Sequence, residues 1–507
     1  MTQSDLVVFK ELKVHQLIIE PKRVRATYSL THANGNVVAK ELIYSYDQPY
    51  FNKKEPADVN LASMMVSQVA LNYGMFCKRM VFEGLFDATD QRFLLDMLEN
   101  TSREILVHKF LSKNQFLKPP FDALEVEKKE RYTAAEVIFD GYPFSNLEVQ
   151  KENATTLDNE YAILSSGGKD SLLTYGIINE IGVAHPVFIN ESGRHWFTAV
   201  NAHNHFKEIE PNTAKPWCNS DRIFNWMVRQ MPFIKENFQN IRADIYPIRL
   251  WTVAVFLFGV LPIARKRRLG NILIGNEFDT TVKGNCNGIS HYHALYDQSK
   301  YFDNALTRYY HKKGWNMNQY SILRSLSELL ILKVLVKRYP ELQRQQVSCH
   351  AAHEENRRML PCGKCEKCRR IVGMLTALDE DPKRCGYSDV QIAQALKNLS
   401  EQSVKQIGSD VAHLYHLLVA KGKLPKNAHT QRLAKPHPQI MKLRFDNERS
   451  KLEDIPKHIR KKLMEISNQY SVGISKQKDK KWHDIAFEDL AFEAAYYPLK
   501  QKNDKKI

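Results

Sequence analysis

Six consecutive residues, Ser166-Gly167-Gly168-Lys169-Asp170-Ser171, have the types and order of an anion site. The run EYAILS before them reads as a short apolar strand, and SLLTYGIINEIG after them as an amphipathic helix ending at Gly182. A strand, a glycine turn and a helix amino terminus direct unpaired amides and the positive end of the helix dipole at a bound phosphate. Gly167 and Gly168 permit the turn and leave room for phosphate oxygens. Ser166 and Ser171 offer hydroxyls, Lys169 offers charge, and Asp170 can hold magnesium or cap the helix. A Walker loop is excluded, because it places four residues between its first glycine and GKS or GKT.

Cys349, Cys362, Cys365 and Cys368 form a second constellation, C-x12-C-x2-C-x2-C, in which four thiolates can surround one tetrahedral zinc. Such a site is closed to substrate, so its expected role is structural. Arg369 and Arg370 stand ready to offset the thiolate charge. An iron–sulfur cluster uses the same ligands, and His350 or His353 could replace one cysteine. Cys77, Cys218, Cys286 and Cys385 are scattered as packing residues are, and His291 and His293 have no recognisable ligand spacing.

The elements around these groups divide the chain in three. Residues 1–150 predict an α+β domain: apolar and polar residues alternate from Val7 to Tyr46 with an Asn34-Gly35 turn, and Asn60–Arg79 and Thr89–Asn100 have helical spacing, the latter with Asp87 and Thr89 as start signals. Residues 151–380 predict a parallel, doubly wound α/β sheet, with strands at EYAILS, HPVFIN and NILIGN and a helix over Trp251–Lys266. Residues 381–507 predict a basic helical extension, with helices at Val390–Leu399 and Gln402–Leu418, a linker over Lys421–Pro438, and no convincing strand.

The composition, 43% hydrophobic and 26% charged over 507 residues, is that of an ordered protein of several cores. The longest apolar run, Leu250–Ala264, is shorter than the roughly twenty residues of a membrane span, and the first residues do not read as a signal peptide. A cytoplasmic protein without a membrane segment is expected. The net charge is +16, and from Glu401 onward 22 Lys and Arg stand against 13 Asp and Glu. That basic tail could contact a polyanion such as tRNA, or could be only a solvated face.

The loop resembles that of the PP-loop ATP pyrophosphatases, whose mark is SGGxDS after the first strand of an adenine-nucleotide fold. The resemblance implies that ATP is cleaved between its α- and β-phosphates with magnesium present, that AMP passes to a carboxylate or carbonyl oxygen, and that Asn190, after the second strand, contacts adenosine. With the cysteine pattern added, the chain is similar to the 7-cyano-7-deazaguanine synthases. The stretches IGNEFDTT, HYHALYDQSKYF, YSILRSLSELLILKVL and SCHAAHEENRRMLPCGKCEKCRRI resemble, over residues 155–380, the UDP-N-acetylmuramoyl-L-alanyl-L-glutamate epimerase family. That likeness implies substrate-side roles for Glu277, Gln298, Ser299, Lys300, Arg324 and Glu328, one of them a base for the α-proton of an adenylated glutamate. Arg324 and Glu328 equally fit an i,i+4 helix pair. GNEFD departs from the SNERS-like loop of that family. An adenylating enzyme, ligase or isomerase, acting on a small-molecule or peptide carboxylate is therefore expected. PP-loop enzymes that modify tRNA are the rival class.

Overall fold

The computed structural model describes residues 2–191, 193–241, 246–406 and 408–500. The alternating amino-terminal sequence forms a meander of β1 (Phe9–Glu20), β2 (Arg23–His32) and β3 (Val37–Ser45), paired antiparallel, with Gly35 at φ +90° in the expected turn between β2 and β3. Period-two spacing puts Leu12, Val14, Tyr28 and Leu30 on the buried face. Helix α1 (Pro56–Ser67) follows, but the helical spacing expected as far as Arg79 stops short. Cys77–Glu83 is instead strand β4, parallel to β1. The break lies at Gly74, where a Cβ would stand 2.6 Å from Leu98, so only glycine lets the chain pass the next helix this closely. That helix, α2 (Ala88–Ile105), starts as expected: the Asp87 carboxylate accepts from the amides of Thr89 and Asp90. A π-helical turn (Leu106–Phe110) continues it, and β5 (Glu136–Asp140) adds to β4 in parallel.

The middle of the chain contains β6 (Leu157–Leu164), α3 (Lys169–Ile178), β7 (Val183–Val187), α4 (Arg194–Ile209), β8 (Trp217–Cys218), α5 (Ser220–Gln230), α6 (Val253–Lys266) and β9 (Leu269–Leu273). The hairpin β10 (Lys283–Cys286) and β11 (Ile289–Tyr292), then α7 (Lys300–Lys313), β12 (Asn318–Tyr320), α8 (Glu328–Arg338) and α9 (Pro340–Arg344) complete it. Four strands pair in parallel in the order β12-β9-β6-β7. Successive residues face opposite sides. Ala162 and Ile272 belong to the core shared with α6, and Tyr161, Ile163 and Leu273 to the core shared with α3 and α8, so helices cover both faces and the strands read as unbroken apolar runs.

The expected boundary at residue 150 is not a gap between cores. One apolar cluster runs from Leu6 to Met317 and takes in both sheets. β8 pairs antiparallel with β3, and parallel bridges Val187↔Ala214 and Asn190↔Trp217 tie its approach to the far side of β7. The Tyr46 hydroxyl donates to the Gly259 carbonyl at 2.9 Å, and the Asn72 carboxamide binds both faces of the Leu250–Trp251 backbone.

After the small hairpin β13 (His353–Glu355) and β14 (Arg358–Leu360) come α10 (Glu366–Ala377), α11 (Asp389–Leu399) and α12 (Gly408–Ala420), close to the expected helices. The expected linker contains α13 (Ala428–Leu433), capped by Asn427, which accepts from Thr430 N–H at 2.9 Å. The all-helical expectation for the last third fails. β15 (Leu443–Phe445) pairs parallel with β16 (Ile474–Lys478), which pairs antiparallel with β17 (Lys481–Ile485), and α14 (Lys457–Asn468) lies between. These strands are short, β16 and β17 carry lysines, and the β16–β17 turn, Asp479-Lys480 with both φ positive, lacks the usual glycine. The region is no loose tail. Arg444 N–H donates to Ser325 O at 2.8 Å, and the Ser327 hydroxyl donates to Ile440 O at 2.6 Å. Arg460 is fully buried, its guanidinium on the carbonyls of Ile455, Phe492 and Ala494. Among the described residues no helix is long and apolar enough to cross a membrane, and α6 is a buried core helix.

Candidate functional site

From β6 the chain winds to β7 on one side, and later to β9 on the other. The carboxyl ends of β6 and β9 therefore flank a topological switch point, where loops diverge and leave a crevice. The Ser165–Gly168 loop and the Gly275-Asn276-Glu277 loop both emerge there. Gly167 adopts φ +74°, and a Cβ on it would stand 2.2 Å from Thr198 O. A Cβ on Gly275 would stand 2.7 Å from the Asp170 Cβ, so glycine brings the two loops together. Gly168, the N-cap of α3, differs: a Cβ there would meet only Ser166 Oγ, at 3.5 Å. No side chain caps this helix end, which leaves its first amides for an anion. Ser171 serves the loop itself, its hydroxyl donating to Gly168 O at 3.1 Å, and Val347 N–H supports Gly167 O at 3.3 Å.

The two glycines yield a paired prediction. Gly167→Ala strains the backbone and collides with Thr198, costing about 1–3 kcal/mol in urea denaturation. Gly168→Ala leaves the denaturation midpoint close to wild type, because a Cβ there meets only Ser166 Oγ at 3.5 Å. Equal midpoints for the two variants would show that the loop is not held in this shape.

Lys169 does not reach outward. Its side chain is 7% exposed, and Nζ lies 2.8 Å from Asp170 Oδ1, 3.5 Å from Glu277 Oε2 and 3.3 Å from Glu328 Oε1. Burial disfavours its charge, but Asp170, Glu277 and Glu328 outweigh burial and hold the ammonium charged. Burial likewise pushes the Glu277 carboxyl well above its ordinary range, against the pull of Lys169 and with Glu328, Asp170 and Asp279 adding to the push. Glu328 goes the other way. Burial would raise it, but Lys169, Arg370 at 3.4 Å and the Gln406 amide at 2.6 Å hold it at about 2. Two carboxyls whose surroundings push their proton affinities in opposite directions thus share one lysine, the kind of pairing from which acid–base assignments are read. Asp170 and Glu277 keep 30% and 22% of their side-chain surface open, enough to meet a ligand.

The carboxyl-terminal third closes this site, which sequence reasoning missed. Arg444 lies 3.7 Å from Asp410 and 3.9 Å from Asp279, and both Arg444 and Arg449 stack on Phe278, next to Glu277. Arg444 is 3% exposed, yet its Nε and Nη2 make no hydrogen bond with the described residues. Burial and Asp410 raise the Asp279 carboxyl to about 7 against the pull of Arg444. Because that value lies above the unfolded one, its stabilising effect is complete below about pH 4 and is lost as the pH rises through 7. Asp279→Asn is expected to flatten the fall in urea stability across that window. Asp297, buried at the start of α6 and also raised to about 7, retains part of the slope. Identical slopes in wild type and variant would refute the assignment.

The other expected site residues serve the frame. Arg324 precedes α8, so the i,i+4 pair with Glu328 does not form; it is buried against Asp303 and donates to the hydroxyls of Thr280 and Thr281 at 3.0 and 3.1 Å. It thereby anchors the segment after Glu277. Lys300 is 3% exposed and bonds Asp454 and Asn447 O, both at 3.1 Å, away from the loop. Ser299 caps α7, Gln298 O accepts from Arg324, and the Asn190 backbone is held between Pro216 O and Cys218 N–H.

Cys349, Cys362, Cys365 and Cys368 converge as their spacing requires. Their sulfurs approach at 3.5, 3.6 and 3.8 Å, and four thiolates on a tetrahedral ion with metal–sulfur bonds of roughly 2.3 Å are about 3.8 Å apart. The cluster can hold a metal ion. Neither histidine joins it: His350 Nε2 lies 3.0 Å from Lys367 Nζ, and His353 is exposed beside Glu355. Arg370 reaches Glu328 instead of the thiols, so α10, whose N-cap is Cys365, links the cluster to the Lys169 site. Comparison of the chain with models of known families, with curated proteins and with solved structures finds no match.

Proposed function

We propose that this chain is a PP-loop adenylating enzyme with a doubly wound nucleotide domain, which converts ATP and a carboxylate into an acyl adenylate and pyrophosphate. The supporting observation is the uncapped start of α3 at the switch point, with Gly168 leaving space beside it and Asp170 and Glu277 opposite. The α3 amides receive the β- and γ-phosphates as a unit. The carboxylate oxygen bonds to the α-phosphorus as the bond to the bridging oxygen breaks, and pyrophosphate leaves with that electron pair.

Asp170 would hold magnesium, which would neutralise charge on the departing pyrophosphate. Lys169 keeps Asp170, Glu277 and Glu328 together, and Arg370 fixes Glu328 from the far side. The four thiols would hold zinc as a closed structural site. Isotope exchange from labelled pyrophosphate into ATP tests the reading: exchange that depends on a carboxylate supports it, and turnover to ADP alone sinks it.

The raised Glu277 carboxyl favours the isomerase outcome over ligation, because a carboxylate whose proton affinity is raised is a suitable base for the α-proton of an adenylated glutamate. Deuterium uptake at that carbon in heavy water distinguishes it from nitrile formation, as in 7-cyano-7-deazaguanine synthases, and from transfer to tRNA.

A further inference from the structure

A second group of metal-ligating side chains lies outside both sites described above. Glu104 and His108 share one face of α2 and its π-helical continuation by i,i+4 spacing. Single π turns of this kind recur at functional sites. His291 comes from β11, and ligand atoms of all three residues lie within 4.8 Å of one another.

Three features of this group point to a ligand. The Glu104 side chain is 2% exposed; Oε1 accepts the Tyr292 amide at 3.0 Å, but Oε2, 3.2 Å from His108 Nε2, has no hydrogen-bond partner among the described residues. A buried carboxylate oxygen left so is unfavourable, and a cation would offset that cost. His291 Nδ1 lies 3.3 Å from Tyr292 O, an interaction that places the proton on Nδ1 and leaves Nε2 as a lone-pair donor, the usual outer-shell arrangement of a metal-bound imidazole. Opposite His291 in the hairpin is Gly284, where a Cβ would stand 2.7 Å from His291 Nε2 and 3.1 Å from His293 Nε2. The glycine keeps open the space that both imidazoles face.

We propose that Glu104, His108 and His291 form a divalent metal site of the zinc type, with His293 beside it and one position left to water. Two imidazoles and one carboxylate suit a first-row divalent ion, and three protein ligands leave a tetrahedral position open, unlike the closed thiolate site. His108 Nε2 lies 2.7 Å from Tyr292 O, so on ligation its proton moves to Nδ1. With 21% of its side chain exposed, His108 gives solvent an entry.

Metal content of the full chain, loaded with zinc and then desalted, tests the site. Wild type is expected to retain about two equivalents, and Glu104→Gln and His291→Ala about one. Glu104→Gln keeps the acceptor for Tyr292 N–H, so its fold persists. Cobalt exchange separates the two sites: both variants keep the near-ultraviolet thiolate-to-cobalt band and lose only the visible bands of the second cobalt. One equivalent in wild type, or a second equivalent retained by both variants, overturns the proposal.

Discussion

Asp170→Ala is expected to lower carboxylate-dependent formation of AMP and pyrophosphate by about a thousandfold or more, with little change in the thermal midpoint. The Asp170 carboxylate is partly open, and its only bonded partner among the described side chains is Lys169, which keeps Glu277 and Glu328 in the variant. The loss therefore falls on what the carboxylate holds during turnover and not on the frame. Lys169→Ala is the contrasting control. It leaves three carboxylates close together without their shared cation, and removing one partner from a buried ion cluster costs about 3–5 kcal/mol. Its inactivity would therefore come with a lower midpoint. Phosphorus NMR of the products with calorimetry of both variants reads the two effects separately. Unchanged turnover in Asp170→Ala, or ADP as the only nucleotide product, would remove the basis for an adenylating site.

Cys365→Ser is expected to drop bound metal below about half an equivalent at the thiolate site and to destabilise the surrounding structure by several kcal/mol, because metal binding to a structural site is itself folding free energy. The geometry says where the damage goes. Cys365 caps α10, the Lys364 amide faces Cys362 sulfur at 3.5 Å, and one turn later Arg370 meets Glu328. Loss of the ion loosens the start of α10, frees Arg370 and removes one of the cations that hold Glu328 ionised. Hydrogen exchange is expected to rise first over residues 349–370, with adenylation falling as a consequence. Full zinc retention in the variant refutes the structural role, and a brown protein containing iron and sulfide replaces zinc with an iron–sulfur cluster.

Much of the site's skeleton was legible in the sequence. The strand before Ser166, the glycine turn and the helix from Lys169 appear where spacing put them, because each depends on φ, ψ and contacts within a few residues, and the four cysteines converge because thiols at that spacing share a ligand role. The buried parallel strands were legible too, since a strand covered on both faces is apolar throughout. The end of helical structure before Gly74 and the short strands β15–β17 were not: the first depends on a close approach to Leu98, and the others pair mainly with one another in a region whose residues carry no apolar period.

What the charged residues do was decided only by the tertiary structure. Lys169, in a loop that suggests a phosphate contact, turns inward to Glu277 and Glu328, more than a hundred residues away. Lys300 and Arg324, adjacent in sequence to plausible chemistry, meet Asp454 and Asp303 and become supports. Arg444 and Asp410, from a segment that reads as a basic tail, close over Asp279. The physical reason is range. A turn or a helix start is set by local sterics, whereas a buried charge is set by whichever opposite charge the fold brings within about 4 Å, and one sequence leaves many such pairings open.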